Sequence, residues 1–184
     1  MDGAIAIRVN TSQALDFAIR LRIPAWSEQS TITVNGEAVS SVKAGYYATI
    51  KRSWKKGDVI AVSLDMRGRI ETFNSVERYI AVARGPIVLT RDIRISGPTD
   101  IDESITPVLA KDGFVVIKPV TAANGMWLNF EIPCLAGSYR AEESAKPLSL
   151  LFCDYLSAGN TFTEASRFRT WYPQLIDVSE KAGH

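Results

Sequence analysis

The chain has 184 residues, of which 46% are hydrophobic and 22% charged, ordinary values for a globular protein. Lys and Arg number 21 against 20 Asp and Glu, a formal charge of +1, which argues against nucleic-acid binding driven by bulk charge. The one histidine is the terminal His184, so a Ser-His-Asp triad, a Cys-His dyad and a histidine-built zinc site are all but excluded.

The two cysteines, Cys134 and Cys153, are too few for a four-ligand zinc site and read as buried free thiols. A disulfide stays open, because sequence alone does not place them within bonding distance. No apolar run approaches the roughly 20 residues of a membrane span. Asp2, Arg8 and Asn10 interrupt any signal-peptide core, so the chain reads as soluble and its compartment stays open. Met1 runs directly into a strand-like pattern and reads as the cut end of a longer chain.

Taken in order, the elements follow a period of two. Leu15, Phe17, Ile19, Leu21 and Ile23 alternate with Asp16, Ala18, Arg20 and Arg22, a half-buried strand with its arginines in water. Pro24 ends it. Thr31 to Val34 is the next strand, and Asn35-Gly36 after it predicts a type I′ hairpin turn. Tyr46 to Lys51 follows, then a turn at Lys55-Lys56-Gly57-Asp58, then Ile60, Val62, Leu64 and Met66 on one strand face.

Tyr79 to Ala83 and Ile87 to Thr90 are more continuously apolar, as in strands buried on both faces, and Gly85-Pro86 interrupts them. Residues 92 to 107 are polar and rich in breakers, among them Ser96, Gly97 and Pro98. They predict a boundary between a first β-sandwich at 1–95 and a second at 96–184. Beyond it, Phe114 to Lys118, Met126 to Ile132, Leu148 to Phe152 and Arg167 to Tyr172 read as strands. Only Leu135 to Lys146 has room for a short helix.

The fold class is all-β, an antiparallel, jelly-roll-like sandwich in two packed domains of about twelve strands, about eight before the boundary and about four after it. Four strands are few for a free-standing sandwich. The second half therefore leans on the first or lacks a strand supplied elsewhere.

Two carboxyl groups across a cleft would suit glycoside hydrolysis. Neither Asp65 with Glu71 nor Glu142 with Glu143 carries a supporting motif, and neighbours on a strand face opposite ways. Aromatic rings suit sugar stacking, and the candidates are Trp26, Trp54, Trp127 and Trp171, with Tyr46, Tyr47 and Tyr172 behind them. The competing role for each is core or edge packing. Asp154, Asn160 and Arg169 are polar candidates, although Asn160 in a Ser-Ala-Gly-Asn string suits a turn. Arg8, Arg20 and Arg22 form a basic strip only if their strands are neighbours.

Five strings in order resemble one family. They are Leu21-Arg22-Ile23-Pro24-Ala25-Trp26; Val34-Asn35-Gly36; Tyr47 with Arg52-Ser53-Trp54-Lys55-Lys56-Gly57-Asp58; Ala83-Arg84-Gly85-Pro86-Ile87-Val88-Leu89; and Cys153-Asp154-Tyr155 with Ser157-Ala158-Gly159-Asn160 and Arg167-Phe168-Arg169-Thr170-Trp171. Their spacing resembles the middle and C-terminal β-sandwich region of glycoside hydrolase family 127, the β-L-arabinofuranosidase-like family. The resemblance implies that catalysis belongs to an (α/α)6 barrel preceding this region, with a zinc-bound cysteine nucleophile and glutamates. Cys134 and Cys153 do not match that cluster, so no catalytic, cofactor or metal residue carries over.

The expected role is a non-catalytic accessory region that buttresses the parent's barrel. The alternatives are a carbohydrate-binding module for arabinose-containing, plant-type glycans, and a structural or dimerisation module without sugar contact. Self-association, if it occurs, is expected near Met1 to Val9 or Ser96 to Pro107, with neither nucleic acid nor membrane as a partner.

Overall fold

The computed structural model describes residues 2–73, 79–95, 97, 100–136, 147–163 and 166–174. The chain divides into two compact units, Met1–Met66 and Arg67–His184. Every paired strand is antiparallel, and the only helical segment among the described residues is a single 3-10 turn at Ile93–Ile95. The all-β expectation therefore holds.

The first unit carries β1 (Ala4–Arg8), β2 (Leu15–Arg22), β3 (Thr31–Val34), β4 (Glu37–Ala38), β5 (Tyr47–Trp54) and β6 (Val59–Ser63). They form two sheets, β1-β6-β3-β4 and β2-β5. Alternate residues of both sheets meet in one core: Ile32, Val34, Ile60 and Val62 from the first, with Ala48, Ile50 and Trp54 from the second. This is the packing of a small sandwich, in which each strand turns one side-chain parity inward.

Asn35 and Gly36 both adopt positive φ, 51° and 88°, as a type I′ turn requires. Asn35 also ties this turn to the next hairpin. Its Nδ2 donates to Asp58 Oδ1 at 2.9 Å, and its Oδ1 accepts from the Val59 N–H at 2.9 Å.

β2 has a neighbour on one side only. It pairs along its length with β5, from Leu15↔Trp54 to Arg22↔Tyr47, and among the described residues nothing pairs with its outer edge. Ile23 is buried, and Ile19 and Leu21 pack on the core, as the alternation predicts. Leu15 and Phe17 share that parity yet stay 42% and 38% exposed and lie outside that core. β1 and β2 lie in different sheets, so Arg8, Arg20 and Arg22 do not form a strip on neighbouring strands.

The second unit carries β7 (Gly68–Phe73), β8 (Tyr79–Arg84), β9 (Ile87–Asp92), β10 (Ile105–Pro107), β11 (Lys118–Val120), β12 (Asn129–Ala136), β13 (Leu148–Asp154), β14 (Phe168–Arg169) and β15 (Tyr172–Pro173). Their main order is β10-β12-β13-β9-β8-β15, with β11 on β12, β14 on β9 and β7 on β8. The core includes Ile80, Val82, Leu89, Ile105, Ile132, Leu150, Phe152 and Tyr172.

β8 and β9 pair only near their turn, through Val82↔Leu89, Ala83↔Val88 and Arg84↔Ile87. Beyond that they part, and residues 168–173 fill the fork. Arg169 pairs with Arg91 on β9, and Tyr172 pairs with Ile80 on β8. The fully buried Tyr172 hydroxyl closes the inserted loop: it donates to the Arg169 carbonyl at 2.6 Å and accepts from the Arg91 N–H at 3.1 Å.

Several sequence expectations need correction. The unit boundary lies at Met66/Arg67, not at 95/96. β9 pairs with β13 through Thr90↔Cys153 and Leu89↔Asp154, so β7 to β9 belong to the second sheet and the Gly97 region is a loop within that unit. There are fifteen strands among the described residues. β7 and β10 have no counterpart among the strands read from sequence, the 114–118 strand reduces to isolated bridges at Val115 with Lys118 starting β11, and the 126–132 strand begins at Asn129. Leu135 and Ala136 end β12 rather than starting a helix, and residues 137–146 lie outside the described residues.

Burial sets the expected order of core substitutions in the first unit. Trp54 is fully buried and its ring centroid lies 6.0 Å from that of the half-covered Phe17. Trp54→Ala should cost about 3–5 kcal/mol. Arg20→Ala, on the solvated parity, should stay within about 0.5 kcal/mol. Urea melts followed by far-UV circular dichroism test this ranking, and equal effects would contradict it.

Candidate functional site

The string from Cys153 to Asn160 ends β13 and builds the most elaborate polar cluster of the second unit. Asp154 is buried and its carboxylate is filled from within. Oδ1 accepts from the Ser157 N–H at 3.0 Å, and Oδ2 from the Leu128 N–H at 2.9 Å and the Ser157 hydroxyl at 2.8 Å. Ser157 Oγ in turn accepts from the Trp127 N–H at 2.9 Å. An Asp at a turn start commonly bonds the backbone this way.

Beside it, Asp92 at the end of β9 forms a two-pronged pair with Arg94. Arg94 Nε donates to Oδ1 and Nη2 to Oδ2, both at 2.8 Å. The Gly159 N–H adds a bond to Asp92 Oδ2 at 2.9 Å. Arg94 spends its other N–H groups on the Ser157 carbonyl and on Asn160 Oδ1, each at 2.9 Å. Burial alone would raise the Asp92 carboxyl, but the Arg94 guanidinium and the Gly159 and Arg94 N–H groups outweigh it and hold the pKa below the usual carboxylate range.

The cluster therefore fixes a loop and presents its other side chains to solvent. Leu156 is 75% exposed and Phe162 92%. Tyr155 and Phe168 are also exposed and meet edge to face at 6.0 Å. Gly159, at φ +65°, leaves room for the Phe168 ring, since a Cβ there would lie 2.6 Å from it. Phe162 sits at φ 51°, uncommon for a bulky residue. Trp127, 66% exposed, is tied to Ser157 through its backbone. Apolar rings held outward on a rigid polar base suit docking rather than proton transfer.

The aromatic candidates divide sharply. Trp54 is fully buried, with Nε1 donating to the Phe17 carbonyl at 3.0 Å, and Tyr172 is buried in the fork. Neither ring offers a face to a sugar. Trp26 is partly buried, while Trp127 and Trp171 are exposed. Tyr46 and Tyr47 are exposed with Lys43 and Arg20 over their rings. Asp154 and Asn160 serve the loop, and Arg169 pairs with Asp102 at 3.1 Å. Glu71 pairs with Arg69 at 2.7 Å; Glu142, Glu143 and His184 lie outside the described residues. Leu156, Phe162 and Phe168 were not singled out from sequence, although apolar residues flanking a Ser-Ala-Gly-Asn turn were the available signal.

Cys134 and Cys153 are free and buried. They lie on β12 and β13, opposite Leu148 and Asn129 respectively. Burial pushes each thiol up to about 12. Two inert thiols in separate cores do not fit a zinc-thiolate centre. Among the described residues no group of three His, Cys, Asp or Glu could hold a metal ion, and no helix is long and apolar enough to cross a membrane.

Residues 1–66, the first structural unit, match the family model described as Beta-L-arabinofuranosidase, GH127 middle domain. No curated protein sequence matches the chain. Among solved structures, one described as a glycoside hydrolase is 23% identical with a TM-score of 0.71, covering 94% of this chain and 30% of that one. A GH127 beta-L-arabinofuranosidase from Geobacillus stearothermophilus T6 is 21% identical with a TM-score of 0.65, covering 94% and 29%. A GH127 beta-arabinofuranosidase is 26% identical with a TM-score of 0.61, covering 97% and 30%. The chain thus spans about a third of the length of the structures it resembles, and the family 127 likeness read from its sequence strings holds across both units.

Two measurements check the site's electrostatics. Because the folded pKa of Asp92 is depressed, its contribution to stability is present above the unfolded value of about 4 and is lost as pH falls through the folded pKa. Asp92→Asn should lower urea stability at pH 7 and flatten the loss of stability below pH about 4. Both thiols should stay silent to Ellman's reagent at pH 8 in the folded chain, since a pKa near 12 leaves about one thiolate in ten thousand. Both should react once the chain is unfolded.

Proposed function

We propose that this chain, with a GH127 middle domain over residues 1–66 and a family 127 fold across both units, is the accessory region of a β-L-arabinofuranosidase-like glycoside hydrolase. In this reading it is non-catalytic and buttresses a catalytic (α/α)6 barrel. The observation that carries the proposal is the asymmetry of the match: nearly all of this chain corresponds to about 30% of its structural relatives. The side chains support it. The carboxylates of Asp92 and Asp154 are consumed by local bonds, and the large side chains that the loop exposes are Tyr155, Leu156 and Phe162. Zinc and the nucleophile belong to the barrel in this reading, and no residue described here is asked to hold the metal.

A second reading, a surface for arabinose-containing glycans, is favoured by one observation: Trp127 is 66% exposed on a backbone anchored by Ser157. Aromatic faces of this kind suit the apolar side of a sugar ring.

The isolated chain should not turn over nitrophenyl β-L-arabinofuranoside. Turnover abolished by a single Asp or Glu substitution would refute the non-catalytic reading. Within the parent chain, Leu156→Asp combined with Phe162→Asp should lower the melting temperature of the barrel while leaving the melting of the isolated chain unchanged. If those variants leave the barrel unaffected and Trp127→Ala instead weakens retention in an arabinan affinity gel, the glycan-binding reading replaces the buttress.

A further inference from the structure

We infer that the open edge of β2 is a self-recognition strand, on which a second copy of the chain adds its own β2 antiparallel about Ile19. The inference concerns the first unit alone and does not rest on the buttress reading.

The backbone restricts the register first. The Ile23 N–H donates to the Tyr46 carbonyl at 2.9 Å, and the Ile23 carbonyl accepts from the Gly45 N–H at 3.0 Å. Ile23 therefore turns its backbone groups towards the β5 side. By the alternation of an antiparallel ladder the odd residues of β2 do the same, and the even residues Asp16, Ala18, Arg20 and Arg22 point theirs to the open edge. A second β2 bonds there only if even residues face even residues, so the paired numbers must sum to an even value.

The side chains then choose among these registers. Pairing about Arg20 would oppose two guanidinium groups, which is unfavourable for like charges directly across a ladder. Pairing about Ala18 would set Asp16 against Arg20, but Arg20 is already held over the Tyr47 ring, 4.9 Å from its centroid. Pairing about Ile19 sets Asp16 against Arg22 twice, once at each end. Among the described residues neither side chain has an ion partner in its own copy.

The same register places Phe17 opposite Leu21 and so covers the inward parity that β2 leaves exposed. β1, the other edge nearest the segment expected from sequence, carries only Arg8 and has no acid to complement a second copy. The result is a continuous four-stranded sheet, β5-β2-β2-β5, formed by strand addition.

Light scattering across a concentration series should show the mass of the whole chain rising from monomer towards dimer. Asp16→Arg and Arg22→Asp, each turning two attractions into two repulsions, should each raise the dimer Kd about tenfold. The double variant should restore it. Register is read separately by cysteine trapping. Residues opposite at a non-bonded antiparallel position have Cα atoms about 4.5 Å apart, within disulfide range, so Ile19→Cys should give a covalent dimer under air oxidation and Ala18→Cys should not. A strictly monomeric wild type, a dimer indifferent to the charge exchange, or trapping at residue 18 instead of 19 would each overturn the inference.

Discussion

The second unit depends most on the pairing of Asp92 with Arg94. Asp92 is the last residue of β9, the strand that touches β8, β13 and β14. Its carboxylate joins the end of that strand to the loop after β13 through Gly159, and Arg94 extends the link to Ser157 and Asn160. Two parallel charge-assisted bonds fix direction as well as distance. Removing Arg94 would leave the Asp92 charge stranded in a 1% exposed position, where an unpaired carboxylate is strongly destabilising. The exposed side chains of Tyr155 and Leu156 inherit their placement from this pair, while Asp92, Arg94 and Asp154 serve architecture.

The fork between β8 and β9 reaches the same end by different means. Right-handed twist favours divergence of a long hairpin, and the opened gap would leave backbone groups without partners. Residues 168–173 supply them, and Tyr172 both fills the volume and bonds across the insert. The edge-on contact of Tyr172 with Phe152, at 6.0 Å, joins the insert to the core.

What could be read from sequence was local. Thr31–Val34 and its Asn35-Gly36 turn, the inward parity of Ile19 to Ile23, and the buried pair β8 and β9 all follow from periodicity and turn chemistry. Pairings between distant segments did not show. The breakers at 96–98 looked like a boundary because composition records where a chain bends, not which strand later returns, and β13 returns to β9 from some sixty positions downstream. β7 was missed because Arg69 and Glu71 alternate with little apolar signal. Trp54 and Trp127 are the same residue in similar turn-adjacent contexts, yet one is core and the other solvent-facing. Only the tertiary neighbours of each separate them.

The β9–β13 pairing also orders events in time during synthesis. The strand pairings of the first unit join segments that all lie within residues 1–66, so they are free to form early. The β8–β9 hairpin, with Ile80, Val82 and Leu89 destined for burial, must instead wait for residues up to 173. At about 5–20 residues per second, the ribosome holds that apolar hairpin with β7 as its only strand partner for roughly 4–16 s. The second unit therefore passes through a window in which chaperone capture competes with its own completion, and slower translation of residues 93–173 lengthens that window without altering a single contact of the finished fold.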